Sequence, residues 1–514
     1  MLFRSSWKVV SPDLTLRPGE KEEGAQGVIY TIAPSPIAAG TIWIGTDNGL
    51  VQLTRNDGLT WSDVTPQGLP PWSMMSLIDA SPHDVASAYA AIDRHQMDDI
   101  TPHIYRTHDS GKTWTAITNG IPATAYVHAV RADPIRRGLL FAATELGVYV
   151  SFNDGELWQP LQLNLPVTPV RDVVVKGDDL VIATHGRSFW ILDDISPLRE
   201  LNPETAAANV HLFRPATALR VRKNVAHDTP LQPETPAGKN PPAGAIIDYS
   251  LHSVPSGEVT LEIIDSAGVL VRKYSSNDEQ RKLDETQSFP TYWFNPPAPL
   301  SKHTGLNRFV WDLRYERPQA LRSGYSIAAA FGEDATMQPE GPLVLPGTYQ
   351  VKLTVEGHSY TSPLEVTMDP RVRVSAPALS QQLTLETKIS DALRQSFGAV
   401  QQIKNLRDQL KELQGKLDSD GSAKPILGAI AALDKKAAEL VAVEQTYPPV
   451  GIVSAASVNG ALSSLLVLVD SADRAPTAQA TTAFETYSKL LQQQLAKWTA
   501  VKTQDIPEIG RAHV

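Results

Sequence analysis

Short apolar stretches alternate with turn residues through the first part of the chain. Three copies of one phrase, two apolar stretches around a turn with glycine, begin at Ile42, Leu140 and Leu180. The repeat spacing of roughly 45–55 residues is typical of one four-stranded propeller blade. The pattern therefore predicts a partial β-propeller of about four blades in residues 1–199. Further strand candidates precede or separate the phrases at Val28, Met75, Val127 and Val170.

An octapeptide that ends in tryptophan punctuates these repeats. Its full copies are TRNDGLTW at 54–61, THDSGKTW at 107–114 and SFNDGELW at 151–158. Trp7 ends a truncated version at the start of the chain. Recurrence at blade spacing predicts that the octapeptide belongs to the repeated fold.

Polar residues in the octapeptide could serve either a hydrolytic site or a tight turn. Asp109 in the middle copy is replaced by Asn56 and Asn153 in the other two. An amide can accept the same backbone hydrogen bonds of a turn, but it is a poor general acid or base. A glycine suits a positive φ angle, and the closing tryptophan supplies apolar area for burial. We therefore predict a structural turn, formed in its three copies by Asn56, Gly58 and Trp61, by Asp109, Gly111 and Trp114, and by Asn153, Gly155 and Trp158.

Beyond the repeats, the pattern changes twice. Residues 200–244 are rich in proline, alanine and asparagine, which predicts a linker. Alternating positions in residues 245–370 predict an immunoglobulin-like β-sandwich of about seven strands. Leucines spaced by three or four positions predict a helical bundle in residues 371–505, followed by a disordered tail at 506–514. The predicted fold class is therefore multidomain and mainly β, with a C-terminal α-helical bundle.

The octapeptide pattern S/T-x-D/N-x-G-x-T-W resembles the Asp-box, or BNR repeat, of sialidases, sortilin-type propellers and some xyloglucan-cleaving glycoside hydrolases. With the phrase VIATHGRSFWILDDISPL, the sandwich motif PGTYQVKL and the helical tail, the chain resembles large exported bacterial proteins of the BNR/sortilin-like "glycosyl hydrolase" type. The sandwich is similar to the immunoglobulin-like domain of flagellar hook-capping proteins. The resemblance implies an Asp-box at the blade periphery and a periplasmic or extracellular protein.

The resemblance also implies that this chain is the C-terminal part of a longer protein, and both ends fit that expectation. The stretch SSWKVVSPDLT at 5–15 has the ending of an octapeptide unit without its front half, and it is not a signal peptide. The stretch EIGRAHV at 508–514 has neither helical nor strand periodicity. Because it resembles translated sequencing-adapter DNA, we expect it not to be biological.

Composition narrows the classes of function. The chain has 46 basic and 56 acidic residues and a formal charge of −10, which disfavours nucleic acid as a partner. It contains no cysteine, so disulfides, thiol catalysis and thiolate metal sites are excluded. Its apolar runs are shorter than the ~18 residues of a membrane span. Its motifs predict neither a cofactor nor a metal site.

Polar residues recur just after the strand that precedes the turn in three repeats. Asp47, Glu145 and His185 occupy equivalent positions there. If these strand ends face the propeller channel, the side chains gather at one mouth, where paired carboxylates could hydrolyse a glycosidic bond. The same residues could instead cap the turns before Gly49, Gly147 and Gly186. The sequence leaves both interpretations open.

Two classes of function follow from these patterns. The first is a non-catalytic binding or scaffold module for a carbohydrate or peptide ligand at the propeller face. The alternative is a glycoside hydrolase whose catalytic carboxylates lie mostly in blades before Met1, so that this fragment is inactive alone. The propeller fold hosts both classes, so the fold does not choose between them. The sequence predicts no oligomeric state.

Overall fold

The computed structural model describes residues 9–17, 27–224, 229–280, 289–294, 296, 298–321, 323–417, 424–442 and 454–507. The chain divides into two compact units, Met1–Ala207 and Ala208–Val514. The octapeptide remnant at Trp7 and the tail stretch 508–514 lie outside the described residues.

The described residues of the first unit form four antiparallel sheets, each built from strands that follow one another in the chain. Consecutive antiparallel strands need only short connections, which agrees with the turn residues between the apolar stretches. The first three sheets have four strands each, and the fourth has three. The strands are β1 (Ile29–Pro34), β2 (Ile42–Thr46), β3 (Val51–Thr54) and β4 (Ser62–Asp63); β5 (Met74–Ala80), β6 (Ala88–Asp93), β7 (His103–Thr107) and β8 (Thr115–Ala116); β9 (Val127–Ala132), β10 (Leu140–Thr144), β11 (Gly147–Ser151) and β12 (Gln159–Pro160); and β13 (Val170–Lys176), β14 (Asp179–Thr184) and β15 (Phe189–Leu192).

An apolar core fills the space between each pair of successive sheets. Trp43 and Ile78 meet in the core between the first and second sheets, and Ile104 and Val130 meet in the next one. The sheets therefore follow one another in the manner of blades. This confirms the prediction of a mainly β chain with repeated antiparallel units, while a closed propeller stays a prediction.

The octapeptide forms the turn between the third and fourth strands of the first three sheets. In the middle copy, Asp109 Oδ1 accepts a hydrogen bond from the N–H of Thr113 at 2.9 Å. Thr107 Oγ1 accepts from the N–H of Gly111, also at 2.9 Å. Gly111 has a φ of 79°, which a residue without a side chain adopts at low cost.

The two asparagine copies make the same turn. Asn56 Oδ1 accepts from the N–H of Thr60 at 2.9 Å, and Asn153 Oδ1 accepts from the N–H of Leu157 at 3.0 Å. The position therefore needs a hydrogen-bond acceptor, which either an amide or a carboxylate supplies.

The octapeptide also links the second and third sheets to the sheet before them. Trp114 donates from Nε1 to the carbonyl oxygen of Val64 at 2.8 Å. Gly111 packs so closely on Val64 that an added Cβ would lie 2.6 Å from its side chain. Trp158 makes the equivalent hydrogen bond to Ile117 at 2.7 Å. Because Val64 and Ile117 follow the last strand of the preceding sheet, turn and tryptophan together join neighbouring sheets.

In the second unit, two sheets face each other across one apolar core. Tyr249 and Trp311 enter this core from a three-stranded sheet, and Val351 and Leu364 enter it from a five-stranded sheet. This arrangement is a β-sandwich, and its immunoglobulin-like type stays a prediction. The strands are β16 (Val210–Leu212), β18 (Ala245–Leu251) and β21 (Gly305–Trp311) in one sheet; β17 (Ala218–Arg220), β25 (His358–Met368), β24 (Gly347–Val355), β19 (Val259–Ile264) and β20 (Leu270–Ser275) in the other; and a small pair, β22 (Gly324–Tyr325) and β23 (Met337–Gln338).

The predicted linker at 200–244 is wrong for part of its length. Two short helices, α1 (Ser196–Glu200) and α2 (Pro203–Ala207), precede strands β16 and β17. β16 pairs with β18, and β17 runs parallel to β25, so both strands belong to the sandwich. Strands of three residues are too short to show an alternating pattern, so the composition of this segment alone predicted a linker.

Helices follow the sandwich, and the longest of them contacts the other three. Ile389 and Leu393 share a core with Leu462 and Leu466. The predicted stripe of apolar residues at three- and four-residue spacing therefore lies on buried sides of these helices. The helices are α3 (Ala376–Leu417), α4 (Lys424–Val441), α5 (Ala455–Val469) and α6 (Ala478–Ala500).

A buried ionic cluster joins the sandwich to the helices. Arg220 Nη1 lies 2.8 Å from Asp473 Oδ1, and Arg314 Nη1 lies 3.0 Å from Asp470 Oδ2. Both aspartates lie in the connection between α5 and α6. Burial raises the pKa of Glu386, on α3, to about 8, and the charge of Asp470 adds to the rise. Charge pairing therefore attaches the helices to the sandwich in addition to apolar packing.

Candidate functional site

The first strand of each sheet in the first unit contains one residue that the pairing of strands skips. In β1, Ile29 pairs with Thr46 and Thr31 pairs with Gly45, so Tyr30 is the extra residue. A β-bulge of this kind re-aims a side chain and is frequent beside active sites. The four bulge residues are Tyr30, Ser76, His128 and Arg171.

All four bulge residues line one cavity of about 700 Å³. A cavity of this size suits a small organic ligand or a short oligomer. Its wall combines an aromatic face with charged groups of both signs, contributed by Trp72, Asp47, Asp93, Arg94, His95 and Asp172.

His128 lies at the centre of a polar network on this wall. Its side chain is 6% exposed, and its Nε2 is 2.9 Å from Glu145 Oε2. Its Nδ1 faces Asp93 Oδ2 at 3.8 Å. Burial lowers the pKa of His128, although both carboxylates act against this shift. The imidazole is therefore neutral near pH 7. Because a carboxylate only accepts hydrogen bonds, Nε2 carries the proton.

Glu145 is held as an ionised hydrogen-bond acceptor. Burial alone would raise the pKa of Glu145, but hydrogen bonds from His128 and Tyr126 and the charge of Arg171 outweigh it and lower that pKa. Burial, followed by the hydrogen bond to Glu145, raises the pKa of Tyr126 to about 12. A carboxylate held in its ionised form is a poor proton donor for glycosidic cleavage.

Arg171 connects two imidazoles at the mouth of the cavity. Its Nη1 is 3.2 Å from His128 Nε2 and 3.3 Å from His128 Nδ1, and its Nη2 is 3.1 Å from His185 Nδ1. A guanidinium only donates hydrogen bonds, so His185 Nδ1 accepts from Arg171.

The residues at the end of the second strand occupy an equivalent position in each sheet. The N–H of Asp47 donates to the carbonyl oxygen of Val28 at 3.1 Å, and Glu145 and His185 make the same bond with their own first strands at 3.0 and 2.8 Å. Arg171 brings Glu145 and His185 into one network. Asp47 lies on the wall of the same cavity, and its Oδ1 accepts from the N–H of Val28 at 2.7 Å.

Asp93 is a fourth member of this set, and the sequence does not predict it. It pairs with Met74, the equivalent of Val28 in the second sheet. Its side chain is 3% exposed and lies 2.6 Å from His95 Nδ1. The glycine turn that marks the other repeats is replaced after Asp93 by a short 3₁₀ helix, His95–Met97. Asp93 could have been identified from the sequence by counting the paired positions along the strands from the octapeptide of the second sheet.

Sequence reasoning also misses the bulge residues as a group. A bulge changes the side on which a residue lies without changing the type of residue, so it leaves no compositional mark.

Within the described ranges, no three histidine or carboxylate side chains group as metal ligands. No helix in the part of the chain that the structure describes is long and apolar enough to span a bilayer.

Comparisons with known proteins leave the family open. No family model matches the chain, and no curated protein matches it. Among solved structures, YCF48 bound to D1 peptide has a TM-score of 0.26 and 18% identity, over 32% of this chain and 51% of that chain. YCF48 from Cyanidioschyzon merolae has a TM-score of 0.26 and 19% identity, over 33% and 54%.

A GH74 xyloglucanase from Xanthomonas campestris has a TM-score of 0.25 and 12% identity, over 69% of this chain and 40% of that chain. This chain thus spans about half the length of the YCF48 structures that it matches. At TM-scores this low, the similarities carry no weight for function, and the cavity has to be judged by its own geometry.

Proposed function

We propose that the cavity of the first unit binds a carbohydrate and that this chain acts there as a binding module. The observation that supports the proposal most strongly is Trp72, which lines the cavity, is 40% exposed and has a φ of 60°. Bulky residues avoid this backbone region, and such strain concentrates at ligand sites. The N–H of Trp72 donates to Asn48 at 3.2 Å, which helps to hold the strained conformation.

Tyr30 gives the cavity a second accessible ring. It is the bulge residue of β1 and is 54% exposed. Two exposed rings provide flat apolar surfaces, and Asp47 and Arg171, which line the same cavity, provide an acceptor and a donor for hydroxyl groups. A sugar presents the same combination of an apolar ring face and a rim of hydroxyls.

The network around His128 supports ligand binding as the role of these residues, and it argues against glycosidic hydrolysis by them. Two carboxylates that cleave a glycosidic bond must leave room for the sugar between them, and one must hold a proton. Asp93 and Glu145 instead face the two nitrogens of His128, which fills the space between them. The lowered pKa of Glu145 also disfavours it as the acid.

Calorimetric titration of the full chain with neutral and uronic-acid oligosaccharides tests the proposal. We expect binding that weakens at least ten-fold in Trp72→Ala and in Tyr30→Ala. Tyr292→Ala is the matched control, because Tyr292 is an exposed aromatic residue of the second unit, 44% exposed. Circular dichroism of each variant separates loss of binding from loss of folding.

The same samples, assayed for new reducing ends, distinguish the two classes of function. Binding without product release supports the binding module. Cleavage that survives Glu145→Gln but needs Trp72 would instead favour a hydrolase with carboxylates elsewhere. If no oligosaccharide binds at millimolar concentration, the carbohydrate proposal fails, and a peptide panel becomes the next test of the cavity.

A further inference from the structure

Arg171 reaches the cavity at a β-bulge in the first strand of the fourth sheet. Val170 pairs with Thr184 and Asp172 pairs with Ala183, so Arg171 is the extra residue of β13. Its side chain is exposed and lines the cavity. A side chain that a bulge re-aims in this way can contact a ligand without disturbing the pairing of the strands.

Two histidines hold the guanidinium of Arg171 in position. Its Nη1 is almost equally far from the two ring nitrogens of His128, at 3.2 and 3.3 Å, so it lies over the face of that ring. Arginine suits such a contact, because its planar, delocalised charge packs against ring faces. Its Nη2 donates to His185 Nδ1 at 3.1 Å. These contacts position the guanidinium before a ligand arrives.

One edge of this guanidinium keeps hydrogen-bond donors for a ligand. Nε and Nη2 lie side by side on the edge of arginine that binds carboxylates with two parallel hydrogen bonds. In Arg171, Nε donates to none of the described residues, and Nη2 uses one of its two hydrogens for His185. Two adjacent N–H groups match the two oxygens of a carboxylate better than they match a single hydroxyl group.

The positive charge of Arg171 is also available. Arg171 forms no ion pair with any residue that the structure describes. Its charge helps to lower the pKa of Glu145, but that carboxylate is bound by His128. Arg94, another arginine of the cavity wall, differs in this respect, because its Nε lies 3.1 Å from Asp99 Oδ2. An anionic group of a ligand therefore finds its partner at Arg171.

The acidic residues of the wall have other roles. Asp93 is 3% exposed and lies 2.6 Å from His95 Nδ1. Asp172 lies 3.5 Å from Arg131, which links two sheets. Asp47 lies on a different sheet from Arg171 and offers an acceptor to hydroxyl groups. The wall thus presents separate partners for an anionic group and for hydroxyls.

We propose that the carbohydrate of this cavity is an acidic one, with a uronic-acid unit whose carboxylate is bound by Arg171. This inference rests on the proposed function, in which Trp72 and Tyr30 supply the ring faces for the sugar. A charge-assisted hydrogen bond is roughly twice as strong as a bond between neutral groups. Arg171 therefore determines the preference for acidic over neutral sugars, while the two aromatic residues bind both kinds.

Oligosaccharides that differ only in charge test this assignment. Trimers of galacturonic, glucuronic and mannuronic acid are titrated into the full chain by calorimetry, each beside its own methyl ester. We expect at least one acid trimer to bind about ten-fold more tightly than its ester, because the ester keeps the sugar ring but loses the charge. Arg171→Gln should remove this preference.

Two further variants show whether the effect belongs to the guanidinium of Arg171. Arg171→Lys keeps the charge but loses the paired donors, so it should retain only part of the preference. Arg55→Gln is the matched control, because Arg55 is exposed in the turn after β3 and does not line the cavity. It removes the same charge and should leave the affinities for acid and ester unchanged. Circular dichroism of each variant shows whether it has folded.

The possible outcomes separate this inference from the proposed function. Equal affinity for every acid trimer and its ester, or a preference that survives Arg171→Gln, overturns the role of Arg171 and leaves carbohydrate binding in place. Triglutamate that binds as tightly as the best trimer also overturns the inference, because the carboxylate is then recognised without a sugar ring. If neither the trimers nor neutral oligosaccharides bind at millimolar concentration, the proposed function and this inference both fail.

Discussion

Trp158 and Ile117 are joined by a hydrogen bond of 2.7 Å between the indole Nε1 and the carbonyl oxygen. Trp158 is also 2% exposed and belongs to the core between the second and third sheets. One side chain thus supplies both apolar packing and a polar link between two sheets.

Trp158→Ala should therefore destabilise the first unit by about 3–5 kcal/mol, the usual cost of deleting a buried aromatic side chain. Trp158→Phe should lose less stability, because phenylalanine keeps most of the apolar contact. Urea unfolding followed by far-ultraviolet circular dichroism measures both variants. Trp114 is only partly buried, so we expect a smaller loss of stability for Trp114→Ala. Equal losses of stability in Trp114→Ala and Trp158→Ala would contradict the difference in burial between the two tryptophans.

Asp109→Asn should leave the melting temperature near neutral pH almost unchanged, because asparagine makes this turn in the other two copies. Asp109→Ala should lower it, because two hydrogen bonds to Thr113 are lost. Bonds from Thr113 lower the pKa of Asp109 to about 2. Stability from this group is present above pH 3.8 and is lost as pH falls toward 2. Melting curves between pH 2 and pH 7 should show a shallower acid slope for the asparagine variant.

Acidification should destabilise the first unit through His128. Burial lowers the pKa of His128 below its ordinary value of 6.5, so the unfolded state binds more protons than the folded state as pH falls below 6.5. Stability from this residue is therefore full above 6.5 and falls on acidification. Melting temperatures of wild type and His128→Gln between pH 5 and pH 7.5 measure this slope. Identical slopes for the two proteins would show that His128 is not buried in its neutral form.

Glu386→Gln should stabilise the second unit in mildly alkaline solution. Because burial raises the pKa of Glu386 to about 8, the unfolded state releases its proton more readily and stability falls as pH rises from 4.5 to 8. We expect a gain on the order of 2 kcal/mol at pH 8 and little change at pH 4.5. Glu412→Gln on the same helix is the control, because Glu412 is exposed and pairs with Lys416 at the surface. A gain of equal size at both pH values would contradict the titration.

Local chemistry explains how much of the fold could be predicted. A turn that needs an acceptor, a glycine with positive φ and a closing tryptophan is specified within eight residues, and three copies make it visible. The stripe that includes Leu385 and Ile389 likewise predicts α3, because helical periodicity is a local property. Strands β16 and β17 escaped prediction because three residues show no period.

The residues of the candidate site could also be predicted from the sequence only in part. Asp47, Glu145 and His185 stand out in the sequence because they follow equivalent strands, while Asp93 is hidden by the short helix that replaces its turn. No sequence pattern could place His128 between Asp93 and Glu145, because Asp93 ends a strand of the second sheet, whereas His128 lies in one of two paired strands of the third sheet and Glu145 directly follows the other.

The sequence by itself determined the repeated unit, its turn and the helical periodicity, since each depends on interactions between residues a few positions apart. Only the tertiary structure decided that Tyr30, Ser76, His128 and Arg171 line one cavity. The reason is physical: a bulge reverses which side of a strand a residue occupies, and neighbouring sheets then bring distant bulges together.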